Sequence, residues 1–152
     1  MINQEILKQA EEIIRTFFDM SGFDLELKIL PLEEKTIPVK IIVDDPKTLI
    51  GQNGQTLADI QHLLKAILSH KISEQFYIDL DINNYKEKKT TYLKESAREW
   101  ANEVALSGRE KVLSPMPNFE RRIVHLELIN RSDVVTESAG YGPDRCIIIK
   151  PR

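Results

Sequence analysis

Two short clusters in the 152-residue chain have the residue types and spacing for binding chemistry. The first is Gly51-Gln52-Asn53-Gly54, between Leu49-Ile50 and a periodic apolar run. The first glycine lets a helix end sharply, and the second removes a Cβ where an incoming backbone must approach. A helix starting there would present unpaired N–H groups and its positive dipole end, a setting that suits a phosphate. Gln52 and Asn53 offer hydrogen bonds but no charge. Taken alone, the tetrapeptide is better explained as an ordinary corner between helices. The second cluster is Arg121 and His125, four residues apart and so one turn above each other on a helix. A guanidinium is a planar fork for phosphate, and an imidazole stacks on a base or donates to phosphate. Spacing alone favours a surface arginine and a satisfied histidine. Phe119, Ile123 and Leu126 take a different face and read as core.

Further cations lie on the long polar stretch that follows residue 84 and on its flanks: Lys86, Lys88, Lys89, Lys94, Arg98, Arg109, Lys111 and Arg122. Glu87, Glu95 and Glu99 interleave them, so a solvated, ion-paired face is the default reading. Lys89, Arg109 and Arg122, taken singly, read as surface. Tyr85 and Tyr141 are candidates to stack on bases, a contact worth roughly 1–3 kcal/mol per base. Trp100 reads as core by its spacing. Catalysis needs groups converging on one pocket, and none is evident. His62 and His70 are eight apart with no carboxylate placed to complete a metal site, and Asp44-Asp45 and Asp79/Asp81 are equally explained by a turn and a strand. No P-loop, dinucleotide fingerprint or nucleophile elbow is present. The expectation is a protein that is not an enzyme, with no cofactor and no metal.

Charge divides the chain. Residues 1–83 hold 8 Lys+Arg against 14 Asp+Glu, and residues 84–152 hold 13 against 10, within a net charge of −3. Only the second half is mildly basic, and an acidic first half is a poor electrostatic partner for phosphate. Cys146 is the only cysteine. An intramolecular disulfide and a cysteine-rich zinc site are both excluded, which fits a reducing compartment. The opening MINQEILKQAEEIIRTFF reads as neither signal peptide nor anchor, and no run approaches the roughly 18 apolar residues of a spanning helix. A cytoplasmic protein is expected.

The elements that must position the clusters follow from periodicity. Ile2, Ile6, Ala10, Ile13 and Phe17 recur at helical steps, widened by Leu7, Ile14 and Phe18, and Ser21-Gly22 ends that helix. Leu25, Leu27 and Ile29 alternate, as do Val39, Ile41 and Val43, and the pair predicts a hairpin. After the short apolar piece and the GQNG turn, Leu57, Ile60, Leu64, Ile67 and Leu68 predict a helix, and Phe76, Ile78, Leu80 and Ile82 a third strand. Asn83-Asn84 is the expected boundary. A long helix is predicted from about Tyr85 to Ser107 on the stripe Leu93, Ala97, Trp100, Ala101 and Val104, then a short strand at Val112-Leu113. Asn118 is a candidate N-cap for the Arg121/His125 helix. Two closing strands, Val134–Ser138 and Arg145–Lys150, are expected around a turn with Gly140, Gly142 and Pro143.

On these motifs the chain resembles a known family. IIVDDPKTLIGQNGQTLADIQHLLKAIL followed by FYIDLDI is similar to a type II KH domain, in which a GxxG loop clamps unpaired nucleotides. There the neighbouring groove is aliphatic, and the resemblance places Ile50, Leu57 and Ile60 in it. PMPNFERRIVHLEL resembles the helix of the R-three-H (RxxxH) domain as it occurs in the bacterial Jag (KhpB) family. NYKEKKTTYLKESAREWA and VVTESAGYGPDRCIIIKP match that family in order and spacing. The implied architecture is α+β: a type II-like KH domain over residues 1–83, followed by a small RxxxH-type α/β sandwich domain over residues 84–152. The implied function is single-stranded nucleic-acid binding, of RNA ahead of single-stranded DNA, by a post-transcriptional regulator. Gly51, Gln52, Asn53, Gly54, Arg121, His125, Arg122, Lys89 and Arg109 are the expected nucleic-acid contacts. The alternative is a protein-interaction module that docks a small KH-domain partner or a membrane-insertase-associated complex, without entering the membrane.

Overall fold

Ala10, Ile14 and Phe18 recur every four residues, and the chain coils there into α1 (Gln4–Met20) to bury that stripe. The computed structural model describes residues 4–152. Ile2, the first position of the expected stripe, lies outside the described residues. The described chain is α+β and separates into two compact units between Lys86 and Glu87.

In the first unit, β1 (Leu25–Ile29) and β2 (Thr36–Val43) pair antiparallel, and β3 (Tyr77–Ile82) joins β2 in parallel, giving the order β1-β2-β3. A parallel pair requires a crossover. Here it contains α2 (Lys47–Ile50), a 3-10 turn (Gln52–Gly54) and α3 (Gln55–Ser69). The register sets Val39 opposite Leu80 and Ile41 opposite Ile82. The two-residue strand period therefore sends these aliphatic side chains to one face. They meet Ala10, Ile14 and Phe18 of α1 and Leu57, Leu64 and Leu68 of α3 in a single core. Polar ties close the end of the strands. Lys40 reaches the buried carboxylate of Asp81 at 3.2 Å, and Asp81 also accepts the amide N–H groups of Ile82 and Lys86. Asn83 exchanges hydrogen bonds with the Val43 backbone at 3.0 and 2.7 Å.

The next helix, α4 (Tyr85–Ser107), begins in the first unit and supplies one wall of the second. β4 (Lys111–Val112), α5 (Asn118–Leu128), β5 (Val134–Ala139) and β6 (Cys146–Pro151) follow, with an antiparallel sheet in the order β4-β6-β5. Leu93, Ala97, Ala101 and Val104 of α4, with Val124 and Leu128 of α5, pack on Ile147 and Ile149 of the central strand. Both helices thus cover one face of this sheet.

Three expectations for this unit are corrected. Phe119 and Leu126 are exposed, and the buried side of α5 is Glu120, Arg121, Val124 and Leu128. Val124 and Leu128, four apart, set the core direction, and Leu126 is turned about 200° from Val124 at 3.6 residues per turn. Trp100 is only partly buried, at the margin of the core. Asn118 is not the N-cap: it is the first helical residue, preceded by extended Pro117 with no side-chain cap.

Candidate functional site

The turn at 51–54 is built by backbone conformations that dictate its composition. Gly51 sits at φ 72°, ψ −175° and Gly54 at φ 77°, ψ 15°, with Asn53 also left-handed at φ 53°. A Cβ on Gly51 would lie 2.1 Å from Thr56 Oγ1, and one on Gly54 would lie 2.8 Å from the Tyr85 ring. Both glycines are therefore required by space as well as by φ. Gln52 and Asn53 are exposed at the tip. Behind them, the amino end of α3 has no side-chain cap. The Gln55 amide closes on the Gln52 carbonyl, and the helix end as a whole keeps the partial positive charge that attracts an anion. Tyr85 does not project as a free stacking platform: its ring lies against Gly54 and packs on the first core.

The flank of α3 carries residues that the sequence did not single out for binding, His62 having been weighed only as a metal ligand. Gln61, His62 and Lys65 face Tyr77 and Ile78 across a cleft of about 120 Å³ between α3 and the free edge of β3. Gln61 accepts the Leu80 N–H at 3.0 Å, and Lys65 donates to the Phe76 carbonyl. The Lys65 ammonium lies 3.5 Å from the Phe76 ring centroid, and desolvation lowers its pKa from the usual lysine value. Tyr77 is exposed beside it. Its place in an alternating strand marked it only as a strand residue. Of the aliphatic positions expected in a groove, Leu57 is buried, while Ile50 and Ile60 are half-buried.

In the second unit, Arg121 and His125 are separated by the margin of the core rather than sharing an open face. Arg121 is 8% exposed. Its guanidinium donates to the Met116 carbonyl at 2.7 Å and to Asn118 Oδ1 at 3.3 Å. It therefore clamps the Pro-rich approach to α5. His125 is exposed, and its Nδ1 lies 2.7 Å from Thr136 Oγ1 on β5. Lys89 is half-buried and faces Glu120 at 3.9 Å. Glu120 is 4% exposed, and burial raises its pKa above the usual carboxylate range against the opposing pull of Lys89. Arg109 and Arg122 are exposed, and neither side chain has an ion-pair or hydrogen-bond partner among the described residues. Of the five cationic or histidine candidates, the structure leaves His125, Arg122 and Arg109 open to solvent and ties Arg121 and Lys89 into the protein.

A family model for the R-three-H domain matches residues 91–151, which include Arg121 and His125. The chain is 34% identical over 142 residues to the RNA-binding protein KhpB of Clostridium symbiosum, covering 93% of this chain and 64% of that protein. It is 33% identical over 148 residues to the RNA-binding protein KhpB of Streptococcus pneumoniae, covering 96% and 44%. The protein of the same name from Lactiplantibacillus plantarum is 36% identical over 104 residues, covering 68% and 32%. The chain thus spans between 32% and 64% of the length of these curated relatives. Among the described residues, no helix is long and apolar enough to cross a membrane. On these matches the chain belongs to the KhpB family, also called Jag, with an R-three-H domain at residues 91–151.

Proposed function

We propose that the chain binds single-stranded nucleic acid, RNA in preference to DNA, as a non-enzymatic cytoplasmic regulator of transcripts. The observation that carries the reading is the amino end of α3, without a side-chain cap, behind an exposed Gln52-Asn53 tip that two glycines with positive φ shape. The RNA-binding names of its relatives support RNA as the ligand. In this reading residues 1–83 act as a type II-like KH domain. The α3 N–H groups, with Gln52 and Asn53, hold a phosphodiester. The aliphatic flank of Ile50 and Ile60 and the Tyr77 cleft receive unpaired bases. Because the loop is uncharged and this half is acidic, the first unit binds weakly alone.

Residues 84–152 supply the charge. Arg122 and Arg109 meet phosphates, and His125, oriented by Thr136, stacks or donates. Arg121 and Lys89 serve as positioning residues that hold α5 in place. Joining two weak sites on one chain raises overall affinity through effective concentration.

The test is a fluorescence-anisotropy titration of labelled single-stranded RNA at two salt concentrations. Wild type is compared with Gln52→Asp/Asn53→Asp, which adds repelling charge and leaves both glycines intact, and with Arg122→Ala/His125→Ala. Affinity should fall with salt in wild type and fall further in each double variant. No RNA binding by wild type, or equal binding by all three, refutes the proposal and favours docking to a protein partner.

A further inference from the structure

The β5–β6 hairpin ends in the sequence Gly140-Tyr141-Gly142-Pro143-Asp144-Arg145. Tyr141 is 92% exposed, more than any other large apolar or aromatic side chain described. Leaving a tyrosine ring in water forfeits burial of a large apolar surface. The turn that presents the ring is nevertheless tightly made. Gly140 is at φ 85°, and a Cβ there would lie 2.8 Å from the Asp144 carbonyl oxygen. The Asp144 and Arg145 amides close the turn on the carbonyls of Tyr141 and Gly142, at 3.1 and 3.3 Å. The ring is therefore held out from a fixed turn.

Tyr141 and Arg145 line one open cleft of about 470 Å³, with Ser138, Ala139, Gly140 and Gly142. The Arg145 side chain is exposed, and its one described partner is the neutral Ser138 hydroxyl, at 3.3 Å. Asp144, also exposed, is the only carboxylate within the turn itself. Strand geometry ties this cleft to His125. Thr136, which bonds His125, and Ser138, which bonds Arg145, are two residues apart on β5 and point to the same face. Thr136 and Tyr141 are five residues apart, which bounds the path between them at roughly 17 Å.

We propose that the hairpin tip is a nucleotide subsite, in which the Tyr141 ring stacks on one unpaired base and the Arg145 fork takes a neighbouring phosphate. It continues the track that starts at His125 along β5. Stacking accepts any base, so the subsite adds affinity without sequence preference. Arginine suits the phosphate because its fork makes paired hydrogen bonds. This subsite rests on the single-strand-binding reading above and names a contact that reading does not contain.

The experiment titrates the full chain with labelled single-stranded RNA and compares wild type, Tyr141→Phe, Tyr141→Leu and Arg145→Ala, each checked by circular dichroism. Tyr141→Phe should bind as wild type does. Tyr141→Leu, which keeps apolar bulk and loses the ring, should weaken binding roughly 5- to 150-fold with the salt slope unchanged. Arg145→Ala should lower that slope by about 0.7, the value for one phosphate contact on a single strand. If wild type binds RNA and all three variants match it in affinity and slope, the subsite is overturned and the parent reading stands. If wild type does not bind, both fall. Equal weakening by Tyr141→Phe and Tyr141→Leu also overturns it, because the hydroxyl rather than the ring would then be responsible.

Discussion

Replacing Arg121 with alanine should unfold the second unit more readily and disturb RNA binding only through that loss. The side chain is 8% exposed and donates to a backbone carbonyl at 2.7 Å and to Asn118 at 3.3 Å. A hydrogen bond from a charged donor contributes about 1.5–3 kcal/mol net, and its loss leaves the Met116 carbonyl without this donor. Two such bonds of unequal length, together with the packing of the aliphatic stem, put the cost at about 2–4 kcal/mol. In a unit of this size that is a fall of roughly 10–30 °C in Tm. Trp100 is the only tryptophan and packs at the margin of the second core, so its fluorescence during urea unfolding reports this unit. Arg121→Lys should recover part of the stability, since an ammonium reaches one acceptor but cannot fork to two. Arg122→Ala should leave the unfolding midpoint unchanged within about 0.5 kcal/mol. If Arg121→Ala unfolds with wild type while losing RNA affinity directly, the guanidinium is a ligand and the positioning role is wrong.

Two further outcomes follow from the same geometry. Gly51→Ala should destabilise the first unit more than Gly54→Ala. Gly51 occupies a region open almost only to glycine, at about 1–3 kcal/mol, and its Cβ would meet Thr56 at 2.1 Å, whereas Gly54 is left-handed and meets a tyrosine ring edge at 2.8 Å; urea midpoints by far-ultraviolet circular dichroism decide the order. Glu120 has a folded-state pKa raised by burial, with Lys89 opposing, so the folded protein holds this proton when the unfolded chain has released it, and stability falls as pH rises from the usual glutamate value of 4.5 towards the raised one. Glu120→Gln should remove that step in Trp100-detected stability, and an unchanged pH profile would locate its cause elsewhere.

Much of this was legible in the sequence, because period and punctuation act locally. The alternation of Leu25, Leu27 and Ile29 and of Val39, Ile41 and Val43 gave the β1–β2 hairpin, and the stripe from Leu93 to Val104 gave α4 from Tyr85 to Ser107. The parallel pairing of β3 with β2 was not legible. It is fixed by where the crossover lands, a tertiary outcome no window of residues contains. The phase of α5 was misjudged at Phe119 and Leu126, which were weighed by hydrophobicity; Ile123 does pack against the core, but Val124 and Leu128 set the inward direction and carry Arg121 with them. Arg121 and His125 differ by only about 40° around the helix axis, so spacing alone could not reveal that the edge of the core falls between them. In the first unit, the glycine spacing was readable because backbone geometry demands it. The Tyr77–Lys65 cleft was not, since it joins a helix to a strand edge across twelve residues of sequence.

The most direct measurement is a map of backbone amide chemical-shift changes as unlabelled single-stranded RNA is added to the isotope-labelled chain. The largest changes are expected at residues 52–57, where α3 begins, with a second group at Arg122, His125 and the 138–145 hairpin. Changes confined to other surfaces, or none at saturating RNA, would contradict the proposed binding mode.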